Sequence, residues 1–273
     1  MSVRSHRSLL FVPGDRPERF DKALSANADG VIIDLEDAVA PERKAFAREA
    51  LAEALRAGAE VLVRVNGPDT DDIIADLAVC AGGNVRGILL PKAESSDQIR
   101  QLLNDGLTVP LLPIIETARG YRSAESIAQA QGVARLVFGT LDFQLDLDIQ
   151  SDAGDALLMF RSGLVLASRL AGLPAPIDGV TVELDDPDRL QQDIERGRCL
   201  GFGGKLCIHP RQIEAVNEGF GVSAADVDWA RRVIEAIEQS DRHAVSIDGR
   251  MVDAPVIERA RRILVQSADS EGR

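Results

Sequence analysis

Short apolar runs alternate with longer amphipathic stretches along the whole chain. The apolar runs fall at 8–13, 30–36, 61–65, 87–92, 109–116, 136–140, 177–180 and 205–209. Most are nearly continuous, as in VIID, ILLP and LLPII, rather than alternating. A strand that buries both faces reads this way, so the runs predict a parallel sheet covered by helices. Amphipathic stretches follow at 17–27, 41–56, 71–80, 96–104, 119–130, 153–171, 188–198 and 210–219. Pro17 sits in a first-turn position and Pro41 opens the second stretch, both favourable places for proline. Eight strands, each followed by a helix, predict a (β/α)8 TIM barrel. The segment after the first strand, PGDRPERF, lacks G-x-G-x-x-G, which disfavours a dinucleotide-binding sheet.

The remaining residues exceed what eight units require. Residues 223–240 predict a helix, 244–252 a hairpin turning at Asp248-Gly249, and 254–266 a last helix. The final string, SADSEGR, is expected to fray. The expected organisation is a catalytic barrel over 1–221 and a C-terminal helical extension over 222–273, a candidate lid or subunit contact.

Composition narrows the partners. Over 273 residues, Lys and Arg total 31 against 44 Asp and Glu, a net charge of −13. Nucleic acid and anionic membranes demand a basic face, so neither is an expected partner. No apolar run approaches the roughly 20 residues of a spanning helix. LLFVP is too short for a signal-peptide core. Cys80, Cys199 and Cys207 are odd in number and lack metal-like spacing. They read as reduced, mostly buried thiols of a cytoplasmic protein.

Barrel chemistry collects at the C-terminal ends of the strands. Strand two ends in Asp34-Leu35-Glu36-Asp37, strand three in Arg64-Val65-Asn66, strand four in Lys92 and strand five in Glu116. Thr140-Leu141-Asp142 follows strand six and His209 ends strand eight. Each has a plainer reading. Glu36 and Asp37 suit helix capping, Lys92 can snorkel to solvent, and His209 before Pro210 suits a structural hydrogen bond. Glu116 and Asp142 come from adjacent strands and can converge. Two carboxylates with open positions suit Mg²⁺, whereas the absence of H-x-H and H-E-x-x-H argues against zinc. The alternative is that the two carboxylates never share an ion.

The strings FVPGDRPERF (11–20), VIIDLEDAV (31–39), VRVN (63–66), LPKAES (90–95), IIET (114–117), FGTLDF (138–143) and CIHP (207–210) occur in order. With GRMVDAPVIERARRIL (249–264), they resemble the citrate lyase β-subunit-like branch of the HpcH/HpaI aldolase superfamily. The resemblance spans residues 8–264. It implies a (β/α)8 barrel that forms a homotrimer or hexamer and, with Mg²⁺ or Mn²⁺, cleaves or forms a carbon–carbon bond in an acyl thioester.

Carried over by position, the resemblance makes Glu116 and Asp142 the metal ligands and Arg64 the grip on the oxo acid. Arg16 and Lys92 match residues that contact the carrier's phosphates or the acid. Asp34 and Glu36 match the acidic cluster beside the metal and its waters, Asp34 among the catalytic groups and Glu36 among those that bind substrate. Gly139 and Thr140 are where relatives bring backbone against the oxo acid. Asp253 matches an acid–base aspartate that a neighbouring subunit's tail supplies. The implied substrate is a CoA thioester such as citramalyl-CoA or malyl-CoA, with citryl-acyl-carrier protein as an alternative. Arg4, Arg7, Arg16 and Arg19 are candidates for CoA's phosphates, against surface ion pairing. A class II aldolase for free 4-hydroxy-2-oxo acids is disfavoured, because FVPGDRP offers no histidine base. A non-catalytic barrel that binds an oxo acid stays open.

Overall fold

The computed structural model describes residues 3–150, 156–238, 245–247 and 250–271. Eight parallel strands close into a barrel in chain order: β1 Ser8–Pro13, β2 Gly30–Asp34, β3 Val61–Arg64, β4 Val85–Leu90, β5 Leu111–Ile115, β6 Val137–Phe138, β7 Ile177–Asp178 and β8 Gly204–Cys207. β1 pairs with both β2 and β8, which removes every edge. Helices α1 Phe20–Leu24, α2 Lys44–Arg56, α3 Asp72–Cys80, α4 Ser96–Asn104, α5 Ala118–Arg122, α6 Ala124–Ala128, α7 Thr140–Asp146, α8 Leu158–Leu170, α9 Pro187–Leu200 and α10 Ile213–Gly219 lie between and after the strands.

Period-two alternation sorts the strand side chains into two cores. Leu9, Ile32, Leu62, Leu89, Leu112, Val137, Ile177 and Leu206 fill the barrel interior as one cluster. Leu10, Val12, Ile33, Val63, Ile88, Ile115 and Phe138 face the helices and join a second, larger cluster. This is why the strand sequences read as continuous apolar runs. At the N-terminal end, Arg135 is 2% exposed and lies two residues before inward-facing Val137. It donates to the carbonyls of Ala175 (2.5 Å) and His6 (2.5 Å). Burial pushes this guanidinium down to about 9.

The chain forms two compact units, Met1–Phe220 and Gly221–Arg273. The second holds α11 Ala224–Glu238, the antiparallel pair β9 Val245–Ile247 and β10 Arg250–Val252, and α12 Ala254–Glu271. Its own small core includes Ala230, Val233, Val252 and Ala260.

Several expectations are corrected. The stretch 119–130 is two short helices that meet at Ser123. A helix not expected from the pattern, α7, follows β6 at once, so Thr140 opens a helix rather than ending a strand. The final string does not fray as a whole, since α12 continues to Glu271. The predicted turn at 248–249 and the predicted helix start at 153 lie outside the described residues.

Candidate active site

The inward alternation that builds the barrel core continues past it. Two residues beyond Ile32 lies Asp34; beyond Leu62, Arg64; beyond Ile114, Glu116; beyond Val137, Gly139. The top of the barrel is therefore lined by whatever the chain places one step above the apolar layer. Asp34 and Arg64 are partners in the β2–β3 register, which sets them side by side.

Arg64 donates from Nε to Asp34 Oδ1 (2.7 Å) and from Nη2 to Asp34 Oδ2 (2.6 Å). Its Nη1 stands 3.1 Å from Glu36 Oε2, and its guanidinium lies 4.9 Å over the Phe11 ring. Asp34 also accepts the backbone N–H of Glu36 (3.0 Å) and of Ala38 (3.2 Å). Asp34 thus orients Arg64, the contact the structure gives to a residue expected among the catalytic groups. The guanidinium edge expected to clasp a substrate carboxylate is already spent on Asp34. What it can offer is its Nη1–Nη2 end. Burial opposes the charge on Arg64, but Asp34, Glu36 and Asp37 outweigh it and hold the guanidinium firmly protonated.

Glu36 is 5% exposed and accepts from Lys92 Nζ through Oε1 (3.0 Å). Its Oε2 is buried without a hydrogen bond. Burial raises the Glu36 carboxyl above its ordinary range, against the pull of Arg64 and Lys92. Burial also works against the Lys92 ammonium, but the bond and charge of Glu36 prevail and raise it.

Glu116, 3% exposed, accepts the backbone N–H of Lys92 through Oε1 (2.7 Å). Lys92 reaches that position with φ of 49°, a left-handed conformation that costs a non-glycine residue on the order of 1 kcal/mol. Burial, with Asp142 and Glu36 nearby, pushes the Glu116 carboxyl up to about 8. Asp142 stands in the first turn of α7 and is half-buried. A Cβ on Gly139 would meet Glu116 Oε2 and Cβ at 2.5 Å, so glycine is what lets the carboxylate occupy its place. A Cβ on Gly179 would meet Thr140 Oγ1 at 2.2 Å. Two neighbouring strands therefore end in bare backbone beside buried Thr140.

This donor set fits a hard divalent cation. Glu116 and Asp142 present oxygen only, and the charge of Asp142 raises the cost of ionising Glu116, which a cation would relieve. Among the described residues no three His, Cys, Asp or Glu side chains group to hold an ion, so any ion here keeps open positions for water or substrate.

The four N-terminal arginines do not form one cluster. Arg7 precedes β1 and pairs with Asp29 through Nε (2.9 Å) and Nη2 (3.0 Å), at the end of the barrel away from this site. Arg4 also precedes β1, whereas Arg16 and Arg19 follow it and are exposed. Arg16 Nε lies 3.8 Å from Asp15 Oδ1. His209 accepts the N–H of Arg211 (3.1 Å) as a helix cap, the structural reading. Asp253 is exposed and accepts the N–H of Val256 (3.4 Å) at the start of α12. Cys80 and Cys207 are buried, and Cys199 is exposed.

Sequence reasoning missed Lys44, Asp76 and Gly179. Lys44 carried a usable signal. It is the first residue of α2, where the helix dipole disfavours a cation, so its charge must serve something other than the helix.

Comparison with known proteins supplies the remaining findings. Residues 7–210 match the family described as HpcH/HpaI aldolase/citrate lyase, and residues 175–269 match one described as C–C bond lyase of the TIM-barrel fold. The chain is 37% identical to a (3S)-malyl-CoA thioesterase of Cereibacter sphaeroides, over 98% of this chain and 97% of that one. It is 37% identical to a citrate lyase subunit beta-like protein of Deinococcus radiodurans, over 96% and 97% of the two chains. Among solved structures, CitE of Mycobacterium tuberculosis in complex with magnesium, acetoacetate and coenzyme A superposes with a TM-score of 0.87 at 35% identity, covering 97% of this chain and all of that one.

Proposed function

Because the chain belongs to the HpcH/HpaI aldolase/citrate lyase family, we propose that it is a divalent-metal-dependent carbon–carbon lyase acting on a 3-hydroxy-3-carboxyacyl thioester. The products are an oxo acid (pyruvate, glyoxylate or oxaloacetate) and an acetyl thioester, and the reaction is reversible. One observation carries this reading: a carboxylate pair, buried Glu116 with half-buried Asp142, shares a rim with a firmly protonated arginine.

Glu116 and Asp142 hold the cation, Mg²⁺ or Mn²⁺, which when bound supplies Lewis-acid charge to the substrate's carboxylate and adjacent hydroxyl oxygen. Arg64, oriented by Asp34, meets the same carboxylate with the remaining hydrogens of its Nη1–Nη2 end, beside Glu36. Lys92 adds a second positive charge on that side. Bare backbone at Gly139 and Gly179 makes room for the Glu116 and Thr140 side chains, and the Thr140 hydroxyl is the proposed donor to the oxo acid. In cleavage the hydroxyl gives up its proton to solvent water, its oxygen forms the carbonyl of the oxo acid, and the carbon–carbon bond breaks. Its electron pair passes to the thioester fragment as an enolate, and a proton from a general acid completes the acetyl thioester. Asp253, supplied by a neighbouring copy in a trimer or hexamer, is the proposed acid, and the base in the synthetic direction. CoA is the proposed carrier, its phosphates met by Arg16, with acyl-carrier protein as the alternative.

Hydrolysis of the same thioester is the second reading, favoured by the Cereibacter relative's name. Incubation with Mg²⁺ and citramalyl-CoA, malyl-CoA or citryl-CoA separates the two. Release of acetyl-CoA with an oxo acid supports the lyase. Free CoA with an intact hydroxy acid supports the thioesterase. No turnover, with pyruvate or oxaloacetate still bound, would leave a binding barrel.

A further inference from the structure

Beyond the Lys92–Glu36 pair, the loops after β2, β3 and β4 enclose a cavity of about 200 Å³ lined in part by Glu36, Lys44, Asn66, Thr70 and Lys92. Lys44 rises into its wall from the first position of α2. Its Nζ donates to the carbonyl of Leu35 (2.9 Å), to the carbonyl of Glu36 (3.2 Å) and to Asn66 Oδ1. Three ammonium hydrogens meet three acceptors, none of them a carboxylate. Leu35, Glu36 and Asn66 are 0%, 5% and 3% exposed, so with Lys44 in place solvent does not compete for these acceptors.

Asn66 is fixed in turn. Fully buried Asp76 on α3 accepts its backbone N–H (2.8 Å) and its Nδ2 (2.7 Å), and Nδ2 also reaches Leu35 O (3.0 Å). Arg48 Nη1 holds Asp76 from the far side (3.0 Å). The turn after β2 is therefore gripped from behind by its own main chain. At its front, the Glu36 side chain meets Lys92 and stands against Arg64.

We propose that Lys44 is a positioning residue for the oxo-acid end of the site, acting through the backbone of Glu36 on Arg64 and Lys92, and that the cavity beside it admits small amines. This rests on the lyase reading. Loss of Lys44 takes the cationic donor from two buried carbonyls and Asn66 Oδ1, a cost that water entering from the cavity offsets only in part and that shifts the turn. Movement of Glu36 then misaims the two cations that face the substrate's carboxylate, while Arg16 on the loop after β1 is untouched.

The test uses the full-length, Mg²⁺-loaded protein. Pyruvate and glyoxylate binding are measured by calorimetry, and KM for acetyl-CoA is measured in the condensation direction. Lys44→Ala is expected to weaken oxo-acid binding roughly tenfold or more, the scale of losing a charged hydrogen bond. KM for acetyl-CoA stays within about twofold, because the thioester contacts remain. n-Propylammonium, the fragment removed by the substitution, is expected to restore binding in a saturable manner, whereas tetramethylammonium, which has no N–H, does not. Lys44→Arg is expected to keep most of the affinity. If Lys44→Ala does not fold, Lys44→Gln is read by the same oxo-acid and acetyl-CoA criteria. Unchanged oxo-acid affinity, or an equal loss for both substrates without amine rescue, overturns the proposal. A wild-type protein that binds no oxo acid overturns the lyase reading instead.

Discussion

Glu116 is a carboxyl group that the fold makes costly to ionise. Its pKa rises from 4.5 to about 8, with burial the largest cause and Asp142 and Glu36 adding to it. The folded protein therefore holds a proton that the unfolded chain releases. The stability this group contributes is full below about 4.5, declines as pH rises, and is lost above about 8. Melting of metal-free protein across that window is expected to show the decline, and Glu116→Gln to flatten it. Mg²⁺ binds the ionised form, so its stabilising effect is expected to grow with pH, as thermal-shift titrations can show. A melting temperature that ignores both pH and Mg²⁺ would remove Glu116 from the metal site. Gly139 is the second decisive residue. A methyl group there would stand 2.5 Å from Glu116 Oε2, so Gly139→Ala is expected to displace the carboxylate. The expected loss in kcat/KM is about 100-fold or more, with the barrel's circular dichroism retained, since misplacement on the ångström scale costs that much. Near-native rates for Gly139→Ala would mean that Glu116 does not act from the position described.

Placement on an element decides which end of the barrel a residue serves. Arg7 and Arg16 flank the same strand, yet one precedes β1 and the other follows it. Arg16→Ala is expected to raise the KM for a CoA thioester by several-fold while melting is unchanged, because the side chain is exposed and weakly paired. Arg7→Ala is expected to lower the melting temperature and leave that KM alone, because it breaks a part-buried ion pair with Asp29. Steady-state kinetics beside melting curves would show the reverse pattern if the arginines acted as one cluster. The strands were legible in the sequence because a barrel strand buries both faces, and β1 lies where its apolar run predicts. Their C-terminal limits were overestimated at every strand after β1, including β2, β3 and β5. There the inward alternation outlasts the hydrogen-bonded ladder, and Glu36, Val65 and Glu116 continue the pattern without the pairing. The same continuation made Arg64 and Glu116 legible as site residues. Helix α7 was not legible, because Leu141 and Leu145 are 50% and 81% exposed and give no amphipathic period. Lys44 was passed over because its partners are main-chain carbonyls of another element, and no residue type announces those.

Across the whole molecule the open matter is what the second unit contributes. Asp253 caps a helix and is the proposed proton donor, two roles that substitution can separate. Asparagine caps a helix about as well as aspartate, whereas alanine costs about 1 kcal/mol of stability there. Asp253→Asn is therefore expected to melt like the wild type and to lose turnover. If a neighbouring copy supplies this group, inactive Asp253→Asn and inactive Glu116→Gln chains, mixed and reassembled, are expected to regain activity in hybrid oligomers. No recovery on mixing, with Asp253→Asn fully active alone, would reduce Asp253 to its cap. The net charge of −13 extends to the rim, where Asp34, Glu36, Glu116 and Asp142 outnumber Arg64 and Lys92, so an anionic substrate needs a divalent cation beside those two side chains. The N-terminal end of the barrel carries a different consequence. Arg135, lodged among carbonyls beneath a packed layer of Leu, Ile and Val, stoppers the barrel from below. On the proposed reaction, traffic shares one doorway, so an oxo acid seated against Arg64 and Glu116 is expected to enter first and leave last in the condensation direction. An acetyl thioester above it is then expected to queue behind on the way in and to depart ahead of it on the way out.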